Sequence, residues 1–230
     1  MFIALEGING CGKTTVAALL AKKVATRDKC QVRPENVVLM RNPTASPIGM
    51  EVRKYLRDSR DVGFPMFFTK DAETFARHLA LLFIADRITM QAELDEHLSA
   101  DKLVICDRYS VSTLVYQCAM IGDIAMRSSL ADMIREAHKG MTAPDYTFIL
   151  DTPVETARTR LADRGEEVDD LMTAPIEHAA RAMYYTFDRS NIGHDGENVR
   201  LNCGEVRVLE EGTPDEVAGK IANYAIDIPW

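Results

Sequence analysis

Short, mostly apolar runs alternate along the chain with longer stretches in which apolar residues recur every three or four positions. The runs at 2–6, 37–41, 102–107, 146–150 and 206–209 are apolar over most of their length, with charges at Glu6, Arg41, Lys102, Asp107 and Arg207, which predicts parallel strands buried on both faces. The longer stretches predict helices at 13–27, 48–57, 71–98, 112–120, 124–138, 153–164, 175–189 and 214–225. This order predicts an α/β fold in three layers, α/β/α, around a mostly parallel five-stranded sheet. Two helices carry the same start signal: Thr152-Pro-Val-Glu155 and Thr213-Pro-Asp-Glu216 each read as a capping box with proline at the first helical position. Two stretches read as loops. Residues 58–65 hold charges, Gly63 and Pro65, and the acidic residues 165–173 read as a mobile cover.

Composition narrows the class. Apolar residues make up 47% of the 230 and charged residues 27%, as in an ordinary globular protein. Lys and Arg number 27 against 35 Asp and Glu, a formal charge of −8, and no basic block appears. A role on nucleic acid or on an anionic membrane is therefore not expected. The longest apolar run, 79–85, has seven residues, against about 20 for a membrane span. Five cysteines without a C-x-x-C pair indicate reduced, cytoplasmic usage rather than a disulfide framework. The first strand begins at Phe2, so no signal peptide is expected. The five histidines lack metal-ligand spacing and read mostly as surface or packing residues.

Chemistry enters at the first turn. Gly7-Ile8-Asn9-Gly10-Cys11-Gly12-Lys13-Thr14-Thr15 fits G-x-x-x-x-G-K-[ST] between a strand and a helix, the context this phosphate-binding loop requires. Glycines let backbone N–H groups converge on phosphate oxygens, and the helix N-terminus adds partial positive charge. Lys13 is expected to reach the terminal phosphates and Thr14 to ligate Mg²⁺. A second signal is Asp107 at the carboxyl end of the apolar run 102–107, where ligands of open α/β sheets bind. Asp107 can hold magnesium beside Thr14, and Arg108 can grip an anionic acceptor with its planar fork.

Several motifs then stand in one order: F-I-A-L-E-G-I-N-G-C-G-K-T-T at the start, Arg41-Asn42-Pro43, Leu81-Leu-Phe83-Ile-Ala-Asp-Arg87, and Asp107-Arg-Tyr109 followed by Ser112-Thr113-Leu-Val-Tyr116-Gln117. Together they resemble the thymidylate kinases of the P-loop nucleoside-monophosphate kinase family. The resemblance implies a P-loop NTPase fold in a single kinase domain over 1–230, with a helical lid at about 156–173. It implies transfer of the ATP γ-phosphoryl group to dTMP with Mg²⁺, and a homodimer. Carried over by position, Phe83 would stack on the base and Arg87 would hydrogen-bond its carbonyl. Arg41 and Arg108 would hold the acceptor phosphate. Tyr116 would press near the sugar 2′ position, with Thr113 and Gln117 on base or sugar and Tyr184 near the sugar. Asn9 stands where the family usually has Asp, and Asn42 where it has Glu. A 5-modified deoxyuridylate is thus an alternative acceptor, and a non-catalytic nucleotide-binding regulator an alternative class. The loop positions Ile8, Asn9, Gly10 and Cys11 bring no cation, so a supplementary charge is expected from Arg158, Arg160 or Arg164 on the helix leading into the cover. The acidic run from Glu166 to Asp170 is expected to stay at the rim.

Overall fold

The computed structural model describes residues 1–25, 33–58, 72–165, 173–187 and 201–226. The loop expected at 58–65, the acidic run 166–170, Cys30, His194 and Trp230 lie outside the described residues, apart from the last helical residue of α2 at 58. Five strands, β1 (Phe2–Glu6), β2 (Val37–Arg41), β3 (Leu103–Asp107), β4 (Tyr146–Leu150) and β5 (Glu205–Leu209), form one sheet in the order β2-β3-β1-β4-β5. Every pairing is parallel. All carboxyl ends therefore meet at one rim, where Leu5, Arg41 and Asp107 fall in adjacent register.

The helices are α1 (Lys13–Ala25), α2 (Pro47–Asp58), α3 (Ala72–Ser99), α4 (Ser110–Ala119), α5 (Ile124–Ala137), α6 (Val154–Asp163), α7 (Ala174–Phe187) and α8 (Pro214–Ile226). Alternation along β1 and β3 sends side chains to two covered faces. Ile3, Leu5, Leu103 and Ile105 meet Val16, Ala17, Leu20 and Val24 of α1 in the larger core. Phe2, Ala4, Val104 and Cys106 meet Met90 and Leu94 of α3 in the smaller one. The two faces together make the three layers that the run pattern predicts.

The edge strands differ from expectation. β1 and β3 are buried at every residue, but β2 and β5 are half-buried or exposed along most of their length. Each has a neighbour on one side only, so apolar composition there does not report full burial.

The two start signals also diverge. At Thr213 the box closes: the Glu216 carboxylate accepts from Thr213 N–H at 2.9 Å and Thr213 Oγ1 accepts from Glu216 N–H at 3.3 Å. At Thr152 it does not. The helix begins one residue later, with Pro153 at the cap and no side-chain cap bond, and Glu155 pairs with His178 at 3.3 Å. Replacing Thr213 by Ala is expected to cost about 1 kcal/mol in chemical denaturation. Thr152→Ala, whose residue is buried but caps nothing, should act through packing alone.

Candidate active site

The loop after β1 takes its shape from glycines in backbone conformations with positive φ. Gly7 sits at φ +135° and Gly10 at φ +78°. A Cβ on Gly10 would lie 2.3 Å from the Ala157 carbonyl oxygen, so the loop is pressed directly against α6. Within the curl, the Lys13 ammonium donates to Ile8 O at 2.7 Å, Gly7 O at 3.1 Å and Cys11 Sγ at 3.4 Å. Burial lowers its pKa from the ordinary value, and the nearby Arg108 charge lowers it further. Thr14 Oγ1 donates to Asp107 Oδ2 at 2.5 Å, so the two expected magnesium ligands stand side by side.

At the end of β3 the chain turns sharply: Arg108 is a non-glycine residue at φ +71°. That conformation costs an L-residue about 1–2 kcal/mol, and the surroundings hold it. NH1 donates to Ser112 Oγ at 2.9 Å and Gly7 O at 3.1 Å, and NH2 donates to Asn9 Oδ1. The guanidinium lies 5.1 Å over the Tyr116 ring. An amide at position 9 thus keeps the acceptor that the arginine needs.

A cleft opens beside this arginine. Asn9, Phe83, Arg87, Arg108, Thr113, Tyr116 and Gln117, all expected from the sequence, line it. Asn42, Pro43, Leu56 and Ser112 complete the wall. Phe83 and Arg87 reach it from one face of α3; Thr113, Tyr116 and Gln117 reach it from α4. Burial raises the Tyr116 hydroxyl above its ordinary pKa, and it accepts from Asn9 N–H at 2.9 Å. Two expected residues do not line the cleft. Arg41 is exposed at the end of edge strand β2, and it is its neighbour Asn42 that turns inward. Tyr184 is buried behind Tyr116, edge-on at 6.3 Å, with its hydroxyl 2.9 Å from Ser112 Oγ.

The arginines of α6 are engaged elsewhere. Arg158 Nε is 2.6 Å from the buried Glu177, and Arg160 is 3.1 Å from Glu211. Arg164 caps the helix at its exposed end. Arg160 also lines a second, small cleft with Cys11 of the phosphate loop, Val16, Thr152, Leu209 and Gly212.

Four further residues organise the site without having been singled out. Buried Glu6 accepts the N–H groups of Tyr109 at 2.9 Å and Ser112 at 3.2 Å, and the Ser112 hydroxyl. It thus caps α4 and steadies the serine that holds Arg108. Buried Asp86 takes Thr44 N–H at 2.8 Å, Ser46 Oγ at 3.0 Å, Asn42 Nδ2 at 3.2 Å and the Thr44 hydroxyl at 2.5 Å. It fixes the loop that carries Asn42 and Pro43. Arg53 clasps the same loop through the carbonyls of Pro43 and Thr44. His138 touches Arg87. A charge inside an apolar run was the available signal for Glu6 and Asp86.

The family model described as thymidylate kinase matches residues 5–190, which spans the loop, the rim and both walls of the cleft. The chain belongs to the thymidylate kinase family. The thymidylate kinase of Wolbachia pipientis is 36% identical over 174 residues, 74% of this chain and 77% of that one. The thymidylate kinase of Ruegeria pomeroyi is 28% identical over 216 residues, covering 90% and 93%. The solved thymidylate kinase of Candida albicans shares the fold, with a TM-score of 0.68 at 21% identity over 97% of this chain and 89% of that one. Members of the thymidylate kinase family are nucleoside-monophosphate kinases, and the rim described here carries that family's phosphate loop in this chain.

Proposed function

We propose that the chain transfers the γ-phosphoryl group of ATP to thymidylate, giving ADP and dTDP, with Mg²⁺. One observation carries the reading: a single cleft runs from Phe83 and Arg87 past Tyr116 to Arg108, which touches Gly7 and Asn9 of the phosphate loop. An aromatic ring and a guanidinium at one end suit a pyrimidine, and the cations at the other suit a phosphate monoester. The acceptor phosphate, with its second pKa near ~6, is already ionised at neutral pH, so no general base is required. What the protein supplies is positioning and positive charge for two anions brought together. Lys13 and Arg108 provide it at the loop, and Asn9 and Ser112 aim Arg108; a further cation from α6 would require Arg158 or Arg160 to leave Glu177 or Glu211, or Arg164 to turn inward from the end of the helix.

Thr14 and Asp107 offer two hard oxygen donors in contact with each other, which fits a Mg²⁺ held by few side chains and by phosphate oxygens. When bound there, magnesium neutralises charge on the phosphates.

A homodimer is proposed through the helical flank, where Leu81 and Ile88, seven apart on α3, and Met50 on α2 expose large apolar side chains. No described helix is long and apolar enough to cross a membrane. A cytoplasmic location is proposed from the cysteine usage: the four described cysteines are buried thiols and none of them is in a disulfide.

A coupled ADP-release assay over ribo- and deoxyribonucleoside monophosphates, 5-modified deoxyuridylates included, tests the reading. Thymidylate is expected to give the highest kcat/KM, with ribothymidylate, which differs only by its 2′-hydroxyl, at least about 10-fold lower if Tyr116 crowds the 2′ position as proposed. ATP binding without any monophosphate-dependent ADP release would replace this reading by a regulatory one.

A further inference from the structure

His138 closes α5 as its C-cap and is 2% exposed. Its Nδ1 lies 2.6 Å from the Ile134 carbonyl oxygen. A carbonyl only accepts, so Nδ1 carries the proton, and in the uncharged ring Nε2 is a bare lone pair. That lone pair stands 2.7 Å from Arg87 NH1, a group that only donates. The second terminal nitrogen of Arg87 donates to Tyr109 O at 2.8 Å and Thr113 Oγ1 at 3.1 Å, and the guanidinium carbon Cζ lies over the Tyr109 ring, 5.1 Å from its centroid. Arg87 Nε has no protein partner among the described residues. The guanidinium is thus clamped on two nitrogens and one face while the residue lines the cleft.

We propose that His138 is a positioning residue for pyrimidine recognition: its hydrogen-bonded imidazole, locked in one tautomer by Ile134, fixes the Arg87 guanidinium in the cleft wall. The inference rests on the reading of this cleft as the acceptor-base pocket. A packing role alone does not account for the arrangement. A leucine would fill the space, whereas a buried imidazole facing a buried cation carries a cost. Burial first, and then the Arg87 charge, push the His138 pKa down to about 4. The ring consequently stays neutral, and an acceptor, throughout the range in which enzymes of this kind work.

Steady-state kinetics on the full chain test the proposal with His138→Phe, which keeps a ring and removes the acceptor, and His138→Gln, whose Oε1 replaces Nε2. Leaving a buried guanidinium N–H unpaired is expected to raise the thymidylate KM about 10–100-fold in H138F, with kcat and the ATP KM within about twofold. H138Q is expected to return the thymidylate KM to within about threefold of the parent. An unchanged thymidylate KM in H138F, an equal rise in both KM values, or a glutamine variant no better than phenylalanine overturns the proposal. A parent enzyme without thymidylate turnover overturns instead the reading of the pocket. If H138F does not fold, ¹⁵N NMR of the unsubstituted protein decides: a bare Nε2 and protonated Nδ1 persisting to about pH 5 supports the clamp, and the opposite tautomer or an imidazolium excludes it.

Discussion

Replacing Arg108 by Ala is expected to lower kcat/KM for thymidylate by on the order of 10³-fold or more, measured by coupled ADP release at saturating ATP. The magnitude follows from where the guanidinium is held. Its NH1 contacts Gly7 of the phosphate loop and Ser112 of α4, its NH2 contacts Asn9, and the Tyr116 ring lies beneath it. On the proposed reading, one side chain joins acceptor pocket and donor loop, and removing it would withdraw charge from the place where the two phosphates are to meet. Arg108→Lys keeps the charge but not the planar fork that satisfies Asn9 and Ser112 together, so about 10²-fold of the loss should remain. Ala keeps the left-handed backbone at φ +71° and its strain while losing the contacts that hold it, so a fall in Tm of several degrees is expected beside the kinetic loss. A loss below tenfold in R108A would remove Arg108 from the phosphoryl-transfer machinery.

The sequence reveals this site unevenly, for physical reasons. Strands and loop are legible because continuous apolar runs and a glycine pattern are local signals, and every predicted strand is present to within one residue at either end. Seven expected residues converge on one cleft because the motifs that resemble the thymidylate kinases carry them, while spacing by itself says only that Phe83 and Arg87, four apart, can share a helix face. Failures occur where a distant partner decides. Thr152 and Thr213 share a motif, yet only Thr213 caps; Glu155 is drawn instead to His178 on α7. Glu6 acts on residues more than a hundred positions away, and His138 meets Arg87 across 51. No periodicity carries such pairings. Arg158 reads as a candidate cation from its place on a helix, but its Nε rests on the buried Glu177, a contact that only the packing of α6 on α7 discloses.

Replacing Lys13 by Met should separate activity from stability most sharply. Its ammonium is almost fully buried, and burial followed by the neighbouring Arg108 charge depresses its pKa, so the folded chain holds this cation against a desolvation cost. The compensation within the fold is weak: two loop carbonyls and a thiol at 2.7–3.4 Å. Such an arrangement makes sense for a group whose strongest partners are phosphate oxygens, since a cation held among carbonyls that it can leave is poised to follow charge developing on the transferred group. Lys13→Met removes that charge while keeping the aliphatic stem. Turnover is expected to fall by on the order of 10³-fold or more, with Tm within about 5 °C of the parent by calorimetry, because relief of the buried charge offsets the lost hydrogen bonds. The cost of a misplaced cation and the benefit of a well-placed one are then read on the same residue. A variant that loses Tm by much more than this, or that retains a tenth of the parent turnover, would mean that Lys13 serves to brace the loop rather than to meet the phosphates.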